Sequence, residues 1–128
     1  MGLADERFVR WLREDLESSL RGVLTYRDGG EFQVHYLRTD LKDDDEWRHL
    51  VREEIPDLVS LARREHAANA LSLFGDYGGT VRVFSNAILI QLPVSETAGY
   101  GVSVDPEVAP RLVGFVDAAT THLDSEDG

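Results

Sequence analysis

The residues of this chain with the types needed for chemistry are a serine between glycine and aspartate, four histidines and one run of acids. Gly101-Val102-Ser103-Val104-Asp105 has the outline of a nucleophile elbow, but the closing glycine of that turn is replaced by aspartate. Ser103 also falls inside an alternating stretch that reads as a strand, where a serine is an ordinary residue. His35, His49, His66 and His122 stand apart from one another and from any ligand at metal-motif spacing. Glu65 and His66 are neighbours on a helix, so their side chains point apart. Asp40, Asp43, Asp44, Asp45 and Glu46 form an acidic run without the alternation and central glycine of a calcium loop. Gly75-Asp76-Tyr77-Gly78-Gly79 lacks both a phosphate-loop lysine and dinucleotide spacing. No catalytic site, cofactor or metal is expected from these patterns, and the chain is not read as an enzyme.

Arg63-Arg64 is the one adjacent basic pair and suits a surface salt bridge or an acidic partner. Tyr36, Phe84 and Tyr100 could line a small-ligand pocket between a sheet and a helix.

The elements that position these residues follow from periodicity. Phe8, Val9, Leu12, Leu16 and Leu20 recur at helical spacing, which predicts a helix over Asp5 to Ser19 ended by Gly22. A short strand follows at Val23 to Tyr26. Asp28-Gly29 is a hairpin signal, and Phe32, Val34 and Tyr36 alternate with polar residues as in a half-buried strand. An acidic linker, Thr39 to Asp45, can cap a second helix. Trp47, Leu50, Val51 and Ile55 mark its inner face. Pro56 then makes this either one kinked helix or two abutting ones, with Leu58, Val59, Leu61 and Ala62 resuming the stripe. Three strands are expected at Thr80 to Phe84, Ala87 to Leu92 and Tyr100 to Val104. The second is nearly continuously apolar and suits a central position. Asp105-Pro106-Glu107 starts a last helix, with aspartate as the cap, whose apolar stripe is Val108, Leu112, Phe115, Val116, Ala119 and Leu123.

The chain has 128 residues, 42% of them hydrophobic, which suits one domain with a real core. The expected domain is residues 1–123, followed by a disordered acidic tail at 124–128. Cysteine is absent, which removes disulfides, thiolate metal sites and thiol nucleophiles. Thirteen basic residues against 24 acidic ones give a net charge of −11, and Lys42 is the sole lysine. That balance argues against direct nucleic-acid binding. Neither a signal peptide nor an apolar run long enough for a bilayer is present, so no membrane association and a cytoplasmic location are expected. Acid in excess with almost no lysine is the pattern of halophilic proteins. In molar salt the screening length falls to about 3 Å, and self-repulsion ceases to oppose the compact state.

The element order α-β-β-α-β-β-β-α implies an α/β (α+β) fold with a five-stranded antiparallel sheet and helices on both faces. With the Asp28-Gly29 hairpin, the long helix before Thr80, the strand Ala87 to Leu92 and the helix opened by Asp105-Pro106, it resembles the roadblock/LC7 domain, a relative of the longin and profilin-like folds. At finer grain, Tyr36-Leu37-Arg38, Gly75-Asp76, Val83-Phe84, Leu92-Pro93 and Gly101 to Asp105 resemble a group of small acidic haloarchaeal proteins with no assigned activity. The roadblock resemblance implies a homodimer or a protein partner, in a scaffold for small GTPases or signalling proteins. It implies an interface at Leu50, Val51, Leu58 and Leu61 on the second helix and at Val81 and Val83 on the strand edge. The alternative is a small-ligand sensing domain of the PAS or GAF kind, using the Tyr36, Phe84 and Tyr100 pocket.

Overall fold

The computed structural model describes residues 6–27, 31–42, 48–49, 51–53, 56–57, 59–61, 64, 73, 75 and 77–127. Helix α1 spans Glu6–Leu16. It stops at Glu17, whose φ of 49° lies in the left-handed region and which begins a 3-10 turn to Ser19. Strand β1 (Leu20–Tyr26) follows directly. Gly22, expected to end the helix, instead sits within β1 opposite Leu37 and Ser103. A side chain there would approach the Tyr36 carbonyl oxygen to 3.4 Å. That is ordinary contact distance, so the glycine is simply a strand residue here rather than a helix stop.

Strand β2 (Phe32–Leu37) pairs with β1, and the Arg27 N–H donates to the Glu31 carbonyl at 2.9 Å to close the hairpin. The expected Asp28-Gly29 turn lies outside the described residues. The register shifts between Val23, opposite Tyr36, and Leu24, opposite Val34. His35 is thus the extra residue of a β-bulge. Every described residue between Arg48 and Arg64 is helical. Whether Pro56 kinks one helix or opens a second turns on residues 54–55, outside the described set.

Strands β3 (Thr80–Val83), β4 (Ile88–Pro93) and β5 (Gly99–Val104) complete an antiparallel sheet in the order β2-β1-β5-β4-β3. The expected fold class, five antiparallel strands in an α+β domain, is the one observed. β4 is an interior strand, as its apolar run requires, but the middle of the sheet is β5. Its register explains both: Tyr100, Val102 and Val104 alternate with Gly101 and Ser103, so one face is bulky and the other small.

The bulky face carries the larger core. Leu20, Val23, Ile88, Tyr100, Val102 and Val104 are buried there against Leu12 of α1, with Phe8, Val9 and Leu16 around it. Each such aliphatic side chain contributes roughly 1.5–3 kcal/mol. The other face packs Leu24 and Tyr26 against Val59 and Val51 of the middle helical segment, so helices cover both faces. Tyr26 and Gln91 are buried together there, the Gln91 Nε2 donating to the Tyr26 hydroxyl at 2.8 Å. Burial pushes the Tyr26 pKa up.

The last helix corrects the sequence reading twice. Asp105 makes no side-chain cap; a 3-10 turn at Pro106–Val108 intervenes, and helix α2 runs Pro110–Asp127. Its core contacts are Ala109, just before it, and Val113. Three residues of the expected stripe stand in solvent: Leu112, Phe115 and Leu123 are 42%, 69% and 60% exposed. The helix also continues through residues 124–127, where the sequence reading begins a tail.

Candidate functional site

Three features of this frame could do something. The first is an ionic hub where β1, β2 and β5 end together. The Arg38 Nη1 donates to the Asp105 Oδ2 at 2.7 Å and to the Ser18 carbonyl at 3.0 Å. Its Nε and Nη2 hold Asp40 at 2.7 and 3.1 Å. Arg21 reaches the other Asp105 oxygen at 3.4 Å, and the Ser19 hydroxyl donates to Glu107 at 3.0 Å. The Arg38 hydrogen bonds hold the Asp105 and Asp40 carboxyls below the usual range, and their acceptors raise the Arg38 pKa. These groups are mutually satisfied, which suits joining chain segments better than turning over a substrate. Asp105 is the residue whose sequence signal was read as a helix cap. Its strand-end position beside Arg38, set by the tertiary register, gives it the other use.

The second is a cavity of about 350 Å³ on the small face of the sheet. Gly22, Gly101 and Ser103 form its floor with Ala87; Leu24, Leu89, Phe84 and Val51 wall it, and Arg21 contributes charge. It exists because the face offers almost no side chain at 22 and 101, while Val59 closes the sheet more tightly beyond. Its volume is at the low end for small-molecule sites. Of the expected pocket residues only Phe84 lines it. Tyr36 and Tyr100 lie on the opposite face, with Tyr100 buried edge-on against Phe8 at 4.9 Å. Strand parity separates them: each is paired with a residue of the bulky face. Ser103 lines the cavity from within a regular strand, not from an elbow.

The third is the surface left open. β3 has β4 on one side and, among the described residues, no strand on the other. Val81 is 50% exposed, and Val83 is half-buried. Both pair with bulky-face residues, Ile90 and Ile88, whereas Val51 packs on the small face. Leu61 is half-buried on the middle helical segment. Leu50 and Leu58 lie outside the described residues. The expected interface residues are therefore divided between the two faces, with β3 at their common edge.

The histidines do not converge. His35 is 2.9 Å from Thr25 Oγ1, and His49 is 3.2 Å from Glu53. His66 and most of the acidic run lie outside the described residues. Among the described residues no group of three or more His, Asp or Glu could hold a metal ion, and no helix is long and apolar enough to cross a membrane.

Residues 6–124 match the model of the domain of unknown function DUF7522. The chain belongs to that family. Among solved structures it is similar to a roadblock/LC7 domain from Streptomyces avermitilis, at 19% identity and a TM-score of 0.47, covering 88% of this chain and 95% of that one. It is also similar to Myxococcus xanthus MglB, at 15% identity and a TM-score of 0.45, covering 90% of each chain. No curated protein matches.

Proposed function

We propose that this DUF7522 protein is a non-enzymatic interaction module that works as a homodimer or with a protein partner, in a salt-rich cytoplasm. The observation that carries the reading is the uncovered apolar surface. Leu112, Phe115 and Leu123 on α2 and Val81 on the open edge strand are large side chains that a strongly charged protein leaves in water. A patterned helix stripe that meets no core is a surface awaiting a partner. An edge strand offers its free N–H and C=O groups to an added strand. Val81 and Val83 on that edge, with Val51 and Leu61 of the middle helical segment, are the candidate contact residues; Leu50 and Leu58, expected beside them, lie outside the described residues. Residues 1–123 are the working domain, and 124–128 an acidic end dispensable to it.

Light scattering after size exclusion in molar KCl tests this. The expected result is a dimer that Val81→Lys or Phe115→Glu converts to monomer without loss of folding. A strict monomer at high concentration, with Val81→Lys also leaving partner capture unchanged, would remove the reading.

The 350 Å³ cavity favours a second reading, small-ligand sensing. Ala87→Leu should fill it, raise stability and abolish binding of any ligand held there. A stabilised variant with undiminished ligand binding would place that ligand elsewhere.

A further inference from the structure

Charge is not evenly mixed on this surface. On α1, Glu6, Arg10 and Arg13 fall at i, i+4 and i+7, one helical face that looks toward β2. Two adjoining clefts open there, of about 300 and about 340 Å³. They share Arg13 and His35. Arg10 and Glu6 lie in the first, and Lys42, the sole lysine of the chain, lies in the second. Among the described residues three cations and one acid thus line the pair, in a chain where acids outnumber bases 24 to 13.

These groups are placed by the fold. The Arg13 guanidinium stacks over the Tyr36 ring at 4.9 Å. His35 is the bulge residue of β2, fixed through Thr25. Such bulges recur where a strand re-aims a side chain. Burial holds the His35 pKa below its usual value, and its ring nitrogens are hydrogen-bonding groups. Among the described residues no carboxylate lies within ion-pair distance of Arg10, Arg13 or Lys42.

We propose that the paired clefts between α1 and β2 bind a small phosphoryl-bearing polyanion, with Arg10, Arg13 and Lys42 carrying the charge contacts and His35 a hydrogen bond. Cations on either side of a shared arginine suit a ligand with several anionic oxygens, which guanidinium forks engage in pairs. A compact anion also fits the net charge. Repulsion from the acidic surface is screened over about 10 Å at 0.1 M salt, so an anion seated in the cleft feels mainly the nearby cations. A long acidic peptide would run across the repelling surface. The site lies at the sheet edge opposite β3, and so stands or falls apart from the pairing proposed above.

The test is titration of the full chain with tripolyphosphate, read by amide and side-chain NMR, at the lowest KCl concentration that keeps the protein folded. The expected result is saturable binding with shifts concentrated at Arg10, Arg13, His35, Tyr36 and Lys42. Arg13→Gln should weaken it by about tenfold or more, the loss of one charged contact. Lys42→Gln should weaken it severalfold, and Arg111→Gln should leave it unchanged. All three substituted side chains are exposed, and an unshifted melting temperature checks that the variants fold. Absence of saturation up to roughly 10 mM, or equal binding by the Arg13→Gln and Lys42→Gln variants, overturns the proposal. Tighter binding of hexaglutamate than of tripolyphosphate at the same residues also overturns it, in favour of an acidic protein partner.

Discussion

Replacing Arg38 by methionine keeps an unbranched apolar stem and removes the five donors of the guanidinium. The wild-type guanidinium makes a 2.7 Å bond to Asp105 and a 3.0 Å bond to the Ser18 carbonyl, besides gripping Asp40. Asp40 is 57% exposed, so solvent screens that arm and it contributes little. Arg38 and Asp105 retain only 23% and 24% exposure, and their bond counts for about 1–2 kcal/mol after partial screening. The Ser18 carbonyl adds about 1 kcal/mol. Arg21, at 3.4 Å, still faces Asp105 in the variant, so the carboxylate is not orphaned. Arg38→Met should therefore cost about 2 kcal/mol, or roughly 6–10 °C of melting temperature in a domain of this size. Urea unfolding at constant salt is the assay, with Asp105→Asn completing a double-mutant cycle whose coupling should be about 1–1.5 kcal/mol. The pH dependence has a definite sign. The folded pKa of Asp105 is depressed, so its stabilisation is fully present above the ordinary carboxylate range and is lost as pH falls through the folded pKa. The cost of Arg38→Met should shrink in that acid window. A coupling below about 0.3 kcal/mol, within the error of additivity, or a cost that grows on acidification, would refute the reasoning.

Tyr26→Phe leaves the buried Gln91 amide without its 2.8 Å acceptor and should destabilise by about 1–3 kcal/mol in the same assay; a neutral result would mean the amide re-pairs. Gly99→Ala puts a methyl 2.6 Å from both the Leu92 carbonyl oxygen and the Tyr26 hydroxyl and should cost roughly 3 kcal/mol, with a native-like melting curve counting against that packing. Glu17→Gly relieves a left-handed φ of 49° and should stabilise by about 0.5 kcal/mol net of glycine's own entropy, so a loss would show that the residue is not strained. The melting temperature should climb steeply from low to molar KCl as screening relaxes the net charge of −11, and a flat profile would make this an ordinary acidic protein.

Local pattern carried most of the sheet. The apolar run at Ala87 to Leu92 reports strand burial directly; the alternation in Phe32, Val34 and Tyr36 locates β2 but not its faces, because the bulge puts Tyr36 on the bulky face while Phe32 and Val34 pair across the small one. The errors are tertiary. Gly22 reads as a helix stop because nothing local shows that Leu37 and Ser103 will flank it. Asp105 reads as a cap because its competitor, Arg38, is 67 residues away. The cavity was invisible for the same reason. Its emptiness comes from Gly22 and Gly101 meeting on adjacent strands, whereas an aromatic trio spread along the chain suggested a pocket that strand parity divides. The bulge at His35 has no local signal, since Gln33 and His35 alternate with Phe32, Val34 and Tyr36 as in a regular strand.

The hub and the exposed helix are two parts of one arrangement. Asp105 receives Arg38 and Arg21 through its carboxylate, and its N–H donates to the Ser19 carbonyl at 2.9 Å. Glu107 takes the Ser19 hydroxyl, and Pro106 stiffens the turn between them. These bonds fix where α2 begins. Past Val113 the large described apolar side chains, Phe115 and Leu123, stand in solvent, so the start of the helix is oriented by an ionic base and its first turn of packing. A helix held that way keeps its stripe presented, since folding back to cover Leu112 and Phe115 would have to break the hub. Stability of the domain and availability of the surface are thereby separable. Substitutions at Arg38 should loosen both the fold and the helix, while Phe115→Glu should alter association and leave urea unfolding of the monomer almost unchanged.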